Sequence, residues 1–475
     1  MDKSISFVLD GELRVLEFSD GITPTTTVLN YLRGLPTHRG VKEGCAEGDC
    51  GACTVVLGEP GSDGTIRYKN VDSCLLFLPM IHGKQLITVE NLRQPNGALH
   101  AVQRAMVESH GSQCGFCTPG FIMSLFALYK NSDHPSHDLI DEALTGNLCR
   151  CTGYRPIIEA AAKACVNSGI DQFTSSEARM AELLKSIPRR SLHLQARSQH
   201  YWRPLSISEA LGLRREHPDA LMIAGATDIA LRVTKSHELL KKIIDLSVVD
   251  KLSKLSESPT SMTIGTSVPL STAMPHLQKD FQALREMLMV FGSQQIRNVA
   301  TFGGNLGTAS PIGDTLPVLM AYGASVTLES LGGKRDVSLD NFFVGYRKTA
   351  CQNDEIITAV VLPKPMSGMH IRSYKVSKRT DLDISTVNAG FGLRLDKQGK
   401  VDSVTLAFGG MAERTRRAST AEQFLAGRNW SREVVEEAAG LIEREFTPLS
   451  DVRASAQYRT IAARNLLLKF WSETR

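Results

Sequence analysis

Residues 4–18, SISFVLDGELRVLEF, alternate apolar and polar positions on either side of Asp10-Gly11, the pattern of two strands joined by a tight turn. TTTVLNYLRG (25–34) then predicts a short helix entered through a threonine cap and closed at Gly34. ACTVVLG (52–58) and KQLITVENL (84–92) predict further strands, so a small mixed sheet with one helix should end near residue 90. Beyond Ala98 the period changes from two to between three and four. ALHAVQRAMVESH, GFIMSLFALYKNS, HDLIDEALTGNL and IIEAAAKACVNS predict four helices in a compact bundle up to residue 167. Residues 168–200 are polar and basic without a steady period, which predicts a connector in preference to a binding patch. Short strands, helices and glycine turns alternate over 201–370. The last segment, 371–475, mixes strands (HIRSYKVS, AGFGLRL, SVTLAFGG) with helices near 419–427, 431–445 and 454–473.

Composition narrows the classes of function. The chain has 475 residues, 42% of them hydrophobic and 22% charged, with a formal net charge of +4. These values describe a globular protein of about three domains whose main partner is neither nucleic acid nor an anionic membrane. The N-terminal MDKSISFVLDGEL lacks the pattern of a secretory signal, and the longest apolar run, GFIMSLFALY (120–129), is too short to span a bilayer. A cytoplasmic location is expected.

In a reducing compartment ten cysteines point to metal ligands or buried thiols, not to a disulfide framework. Eight of them lie between residues 45 and 151. Cys45, Cys50 and Cys53 follow a C-x4-C-x2-C spacing with Cys74 next, which is the plant-type 2Fe-2S arrangement, in contrast to the two close pairs of a structural zinc site. Gly44, Gly48 and Gly51 would let that loop wrap and aim N–H groups at the cluster. Cys114, Cys117, Cys149 and Cys151 form a C-x2-C and a C-x-C in helix connections, a set that on spacing alone fits zinc or an iron–sulfur cluster. Cys165, on an alanine-rich helix face, and Cys351, in a strand region, read as inert thiols.

EGCAEGDCGACTV, QCGFCTPGF and NLCRCTGYRPI closely resemble the iron–sulfur segments of the molybdenum hydroxylases, the family of xanthine dehydrogenase and aldehyde oxidase. The resemblance implies a ferredoxin-like β-grasp domain (1–90) with a 2Fe-2S cluster on Cys45, Cys50, Cys53 and Cys74. It implies a helical domain (91–167) with a second 2Fe-2S cluster on Cys114, Cys117, Cys149 and Cys151.

No G-x-G-x-x-G lies between a strand and a helix, so a Rossmann site is unsupported. The glycine turns MIAGATDIAL (222–231) and ATFGGNLGTASPIGD (300–314), taken alone, read as plain turns. In order, with IGTSVPL between them, they resemble the flavin domain of the same family, of the vanillyl-alcohol-oxidase type. GYRKT (345–349) and the C-terminal segment match as well. The resemblance implies an α+β chain with an FAD-binding domain over 201–370 and an α+β flavoprotein domain over 371–475. It places the FAD diphosphate on Met222, Ile223, Ala224, Gly225, Ala226, Thr227, Asp228 and Ile229, and on Thr301, Phe302, Gly303, Gly304 and Asn305. Phe291 would pack on the flavin, Thr308 and Asp314 would bond polar parts of FAD, and Ile357 and Lys375 would border it. On their own residues, Phe291 reads as core filler and Lys375 as a surface charge.

The implied function is electron transfer: from a molybdenum-pterin centre on a separate large subunit, through the two clusters to FAD, and on to NAD. The oxidation is that of hypoxanthine and xanthine to urate, in a hetero-oligomer expected to be a dimer of heterodimers, with no catalytic acid or base in this chain. An equivalent subunit acting on an aldehyde or N-heterocycle, and a non-enzymatic iron–sulfur or zinc redox protein, are the alternatives. YKVSKRTDLDIST (374–386) is expected to pass near the flavin, with Lys378, Arg379, Asp381 and Asp383 setting the local field.

Overall fold

In the computed structural model, which describes residues 3–61, 63–94, 96–166 and 171–475, the first hairpin is as the alternation predicts. Strands β1 (Ser4–Leu9) and β2 (Glu12–Glu17) pair antiparallel, and Asp10 and Gly11 both take positive φ (57° and 73°). Two such residues twist a two-residue loop in the sense the strands require. Helix α1 (Val28–Gly34) starts where Thr27 accepts a hydrogen bond from the Asn30 N–H. The sheet holds one strand more than predicted: β3 (Thr54–Pro60), β4 (Ile66–Asp72) and β5 (Gln85–Ile87) complete the order β2-β1-β5-β3-β4. β1 and β5 are parallel, and the other pairs antiparallel. The added strand, β4, has a weak pattern because Arg67, Lys69 and Asn70 dilute its apolar positions, although Ile66, Tyr68 and Val71 are buried.

The four helices are α2 (Ala101–Glu108), α3 (Thr118–Asn131), α4 (His137–Leu144) and α5 (Arg155–Cys165). α3 is buried on every side from Gly120 to Tyr129, which explains its unbroken apolar run. Among the described residues no helix is long and apolar enough to cross a membrane. Cys165 is buried on α5, and burial pushes its thiol up to about 11, as suits an inert side chain.

The connector expected over 168–200 is not one. The boundary at 167–168 lies outside the described residues, but α6 (Gln172–Ser175), α7 (Glu177–Lys185), β6 (Leu192–Ala196) and β7 (Gln199–Arg203) occupy the rest of the segment and its end. Phe173, Met180, Leu184 and Ile187 enter the core of the helical part, whereas Leu192, Leu194 and Tyr201 enter the core of the ferredoxin-like part. Each element is short, and the break at Ser176 shifts the helical phase, so no single period runs through the segment.

The chain forms two compact units that do not follow the linear domain order. One contains the described residues of Met1–Leu205 with Asp219–Ser247 and Gly292–Ala300. In it, β8 (Leu221–Ile223) and β9 (Lys242–Asp245) join β6 and β7 in the order β6-β7-β9-β8, with β9 parallel to both of its neighbours. The other unit contains Ser206–Pro218, Val248–Phe291 and Thr301–Arg475. Its antiparallel sheet is formed by β10 (Leu255–Glu257), β11 (Ser261–Gly265), β12 (Ser325–Ser330), β13 (Gly333–Ser338) and β14 (Ile356–Pro363), in the order β10-β11-β14-β12-β13. A second sheet, of strands 369–376, 387–395, 401–409 and 416–417, shares a core with helices 419–425, 432–445 and 456–474. The segment expected as one flavin domain, 201–370, is therefore divided between the units. The composition is α+β throughout.

Candidate functional site: paired thiols and glycine turns

Cys45, Cys50 and Cys53 sit in the loop before β3, and Cys74 in the turn that leaves β4. Pairing of β3 with β4 brings Cys53 and Cys74 together, with sulfurs 3.3 Å apart. Cys45 and Cys50 form a second pair, joined by a hydrogen bond. Positive φ at Gly48 and Gly51 (81° and 67°) turns the loop, and the N–H groups of Glu47 and Asp49 each donate to Cys45 Sγ at 3.4 Å. The hydrogen bond from Cys50 and these two N–H groups draw the Cys45 thiol down to about 5, against the burial around it. Cys50 is raised as the donor of that pair, and Cys53 is raised by its bond to Cys74 and by burial.

The second set is also paired. Cys114, before α3, bonds Cys151, and Cys117, at the start of α3, bonds Cys149. Burial pushes Cys117 up to about 12, and its bond to Cys149 adds to this. Against burial, hydrogen bonds from the Thr152 side chain and backbone hold Cys149 below the ordinary thiol range; the Thr152 hydroxyl lies 3.2 Å from its sulfur. Cys114 and Cys151 are exposed, beside exposed Phe116, Leu148 and Tyr154.

Among the described residues no three metal-ligating side chains converge on one point. A single zinc needs four donors about one centre, whereas a two-iron cluster needs two thiolates at each iron. Two pairs in each set, one member of each set drawn toward the thiolate form, fit a 2Fe-2S cluster at both places.

The flavin residues inferred from the sequence fall in both units. In the first, Met222 and Ile223 end β8, and the turn through Ala224, Gly225, Ala226, Thr227 and Asp228 leads into a helix at Ile229–Thr234. Ala226 is left-handed (φ 60°), and a Cβ on Gly225 would lie 1.9 Å from the Val299 carbonyl oxygen. Only glycine permits that approach.

In the second unit, Thr301 caps the helix Phe302–Thr308 by accepting from the Gly304 N–H at 3.0 Å. A Cβ on Gly303 would lie 2.3 Å from the Thr266 side chain, whose buried hydroxyl is otherwise unpartnered. Asn305 Oδ1 accepts from the Thr315 hydroxyl, and Ile357 packs near Gly307. Lys375 is no surface charge. Buried, its ammonium donates to Asp314 at 2.9 Å and to the Val290 carbonyl at 2.8 Å, next to half-buried Phe291. Asp314 also accepts from Ser385 and Asn388. Each turn by itself, one packed against backbone and one beside an unpartnered hydroxyl, presents N–H groups of the kind that suit a phosphate. Asp383 is held low, against burial, by the Arg379 N–H and guanidinium, and Lys378 reaches the Val452 carbonyl. Cys351 lies in a loop after strand 348–349, not within a strand.

One group had no sequence signal. Gln295, fully buried, points its amide nitrogen at Asn147 Oδ1 (3.0 Å), Ser124 Oγ (3.2 Å) and Thr54 Oγ1 (3.4 Å). Asn298 donates to Asn70, and Asn70 to Ser124. This polar cluster joins β3, beside Cys53, to the approach to Cys149. Isolated amides have no period, so only the fold brings them together.

Residues 88–162 match the 2Fe-2S binding domain, 194–365 the FAD binding domain in molybdopterin dehydrogenase, and 372–474 the CO dehydrogenase flavoprotein C-terminal domain. The chain is similar to xanthine dehydrogenase of Emericella nidulans, with 33% identity over 99% of this chain and 39% of that protein. It thus spans about two fifths of the length of the curated relatives it matches. Reconstituted CO dehydrogenase from Oligotropha carboxidovorans is similar in structure (TM-score 0.54, 26% identity, 58% of this chain and 96% of the matched chain). Quinoline 2-oxidoreductase from Pseudomonas putida 86 is similar to the same degree (TM-score 0.53, 26% identity, 58% and 95%).

Proposed function

Because the chain belongs to the molybdenum hydroxylase family and carries its iron–sulfur and flavin portion, we propose that it is the electron-transfer subunit of a xanthine dehydrogenase. Its partner is a molybdenum-binding large subunit, and its electron acceptor is NAD. When bound, the two 2Fe-2S clusters carry single electrons, and FAD links these one-electron steps to the two-electron reduction of NAD.

The observation that carries the reading is the thiol pairing. Cys45 with Cys50, and Cys53 with Cys74, would hold one cluster; Cys114 with Cys151, and Cys117 with Cys149, would hold the other. Glu47 and Asp49 aim N–H groups at Cys45 and so favour the thiolate. Cys53 and Cys74 are buried in the core that β1, α1, β3 and β4 share, which keeps water from them. The turns at 222–229 and 301–305 would each contact the FAD diphosphate, and Lys375 pairs with Asp314 and donates to the Val290 carbonyl, which fixes the Val290–Phe291 peptide. No side chain of the chain acts as acid or base on a purine.

Exposed Phe116, Leu148 and Tyr154 around Cys114 and Cys151 form the face proposed to meet the large subunit. Similarity of 58% of this chain to almost the whole of one chain of CO dehydrogenase supports a hetero-oligomer in which the molybdenum-binding subunit is a separate chain. Similarity to quinoline 2-oxidoreductase favours a second reading, an equivalent subunit whose partner hydroxylates an N-heterocycle.

Co-purification with the large subunit tests both. The complex should contain four irons and one FAD per chain of this subunit, and should form urate from xanthine with NAD, its reduced flavin reoxidised faster by NAD than by oxygen. Stoichiometric zinc, or no bound flavin, would overturn the electron-transfer reading. A flavin and iron complex inert to xanthine but active on quinoline would establish the second reading instead.

A further inference from the structure

The helix Ile229–Thr234 begins at one glycine turn and ends against the first cysteine loop. Thr234 Oγ1 donates to the Ala46 carbonyl at 2.7 Å. Lys235 Nζ donates to the Cys45 carbonyl at 3.1 Å and pairs with the Glu47 carboxylate at 3.2 Å. The peptide held in this way is a strained one. Ala46 is left-handed (φ 56°), a conformation unfavourable for a non-glycine residue unless its surroundings fix it. The same turn aims the Glu47 and Asp49 N–H groups at Cys45 Sγ. A side chain from the 219–247 segment therefore decides where two donors to a cluster sulfur point.

We propose that Lys235 and Thr234 tune and position the first iron–sulfur centre: Lys235 raises its reduction potential, and Thr234 holds the Ala46 turn that directs N–H groups onto Cys45. The inference rests on the reading of Cys45, Cys50, Cys53 and Cys74 as ligands of a 2Fe-2S cluster. Reduction adds one negative charge to a thiolate-bound cluster. A cation fixed on the backbone of a ligand residue stabilises that charge, and N–H donors to sulfur do the same. Glu47 offsets part of the effect, and the half-exposed ammonium makes it sensitive to salt. Lys235 would thereby make the centre nearer the flavin turn the better electron acceptor, favouring flow toward it.

The test is an EPR-monitored redox titration of the holoenzyme, with a Cys149→Ser variant used to assign the two cluster signals. Lys235→Gln should lower the midpoint of the first centre alone, changing its oxidised-to-reduced ratio at a fixed potential on the order of threefold. Lys235→Glu should lower it further, Lys235→Arg should restore it, and raising the salt concentration should shrink the differences. Thr234→Val should lower the same midpoint, but with no dependence on salt. Unchanged midpoints in Lys235→Gln and Lys235→Glu, or equal shifts in both centres, would overturn the proposal. Absence of a second cluster signal in the unmodified enzyme would overturn the two-cluster reading beneath it.

Discussion

Gln295→Glu is a near-isosteric change at a fully buried amide, and the structure predicts that it unfolds the first unit in a pH-dependent way. The Thr54 hydroxyl already donates to the Gly51 carbonyl at 2.7 Å, and the Ser124 hydroxyl to Asn147 Oδ1 at 2.6 Å. Neither proton is free to turn toward a new carboxylate. An amide nitrogen has two N–H groups, so two of its three close acceptors are bonded at a time. Their loss costs about 1–3 kcal/mol. An ionised carboxylate facing these oxygens without water has its pKa raised by about 2–3 units, which adds roughly 3–4 kcal/mol once the pH exceeds the folded pKa. The sign is fixed by the raised value. The second penalty is absent below the unfolded carboxyl pKa of about 4.3, grows as pH rises, and is complete above about pH 7. At about 2–4 °C per kcal/mol for a unit of this size, the melting temperature at pH 8.5 should fall by roughly 10–20 °C, and at pH 5 by about half as much. Gln295→Leu should show a smaller loss with no pH dependence. Scanning fluorimetry at the two pH values is sufficient. A Gln295→Glu protein melting within about 2 °C of the unmodified chain at pH 8.5, or with the same loss at both pH values, would refute the placement of this amide among acceptors.

Cys149→Ser should leave two irons per chain and one cluster signal, because Cys149 pairs with Cys117 in the helical part and touches no ligand of the first set; loss of all iron would contradict two independent sites. Asp171, buried, is held well below the carboxylate range, against burial, by hydrogen bonds from His100, Thr174 and Lys130. Asp171→Asn should therefore cost about 2–4 kcal/mol at pH 7, and the two proteins should draw together in strong acid as the native carboxylate becomes protonated; a difference in melting temperature that does not shrink as the pH falls well below the usual carboxylate range would count against the assignment.

Short-range order was legible in the chain itself. The turn at Asp10-Gly11, the threonine cap of α1 and the four helices around the second cysteine set arise from local sterics, capping and periodicity, which depend on neighbours within a few residues. The spacing of the cysteines, together with the long motifs around them, indicated which thiols belong together. The fold alone decided how each set divides into pairs, because that requires β3 to lie beside β4 and the approach to Cys149 to lie beside α3. It also decided that residues 171–200 are core, that Lys375 is buried against Asp314, and that Lys235 grips the first cysteine loop from nearly two hundred residues away. Burial and hydrogen bonding of lone polar residues leave no periodic trace. Their partners are brought near only when distant segments pack, and the chain carries that information in the sum of its contacts and not in any one stretch.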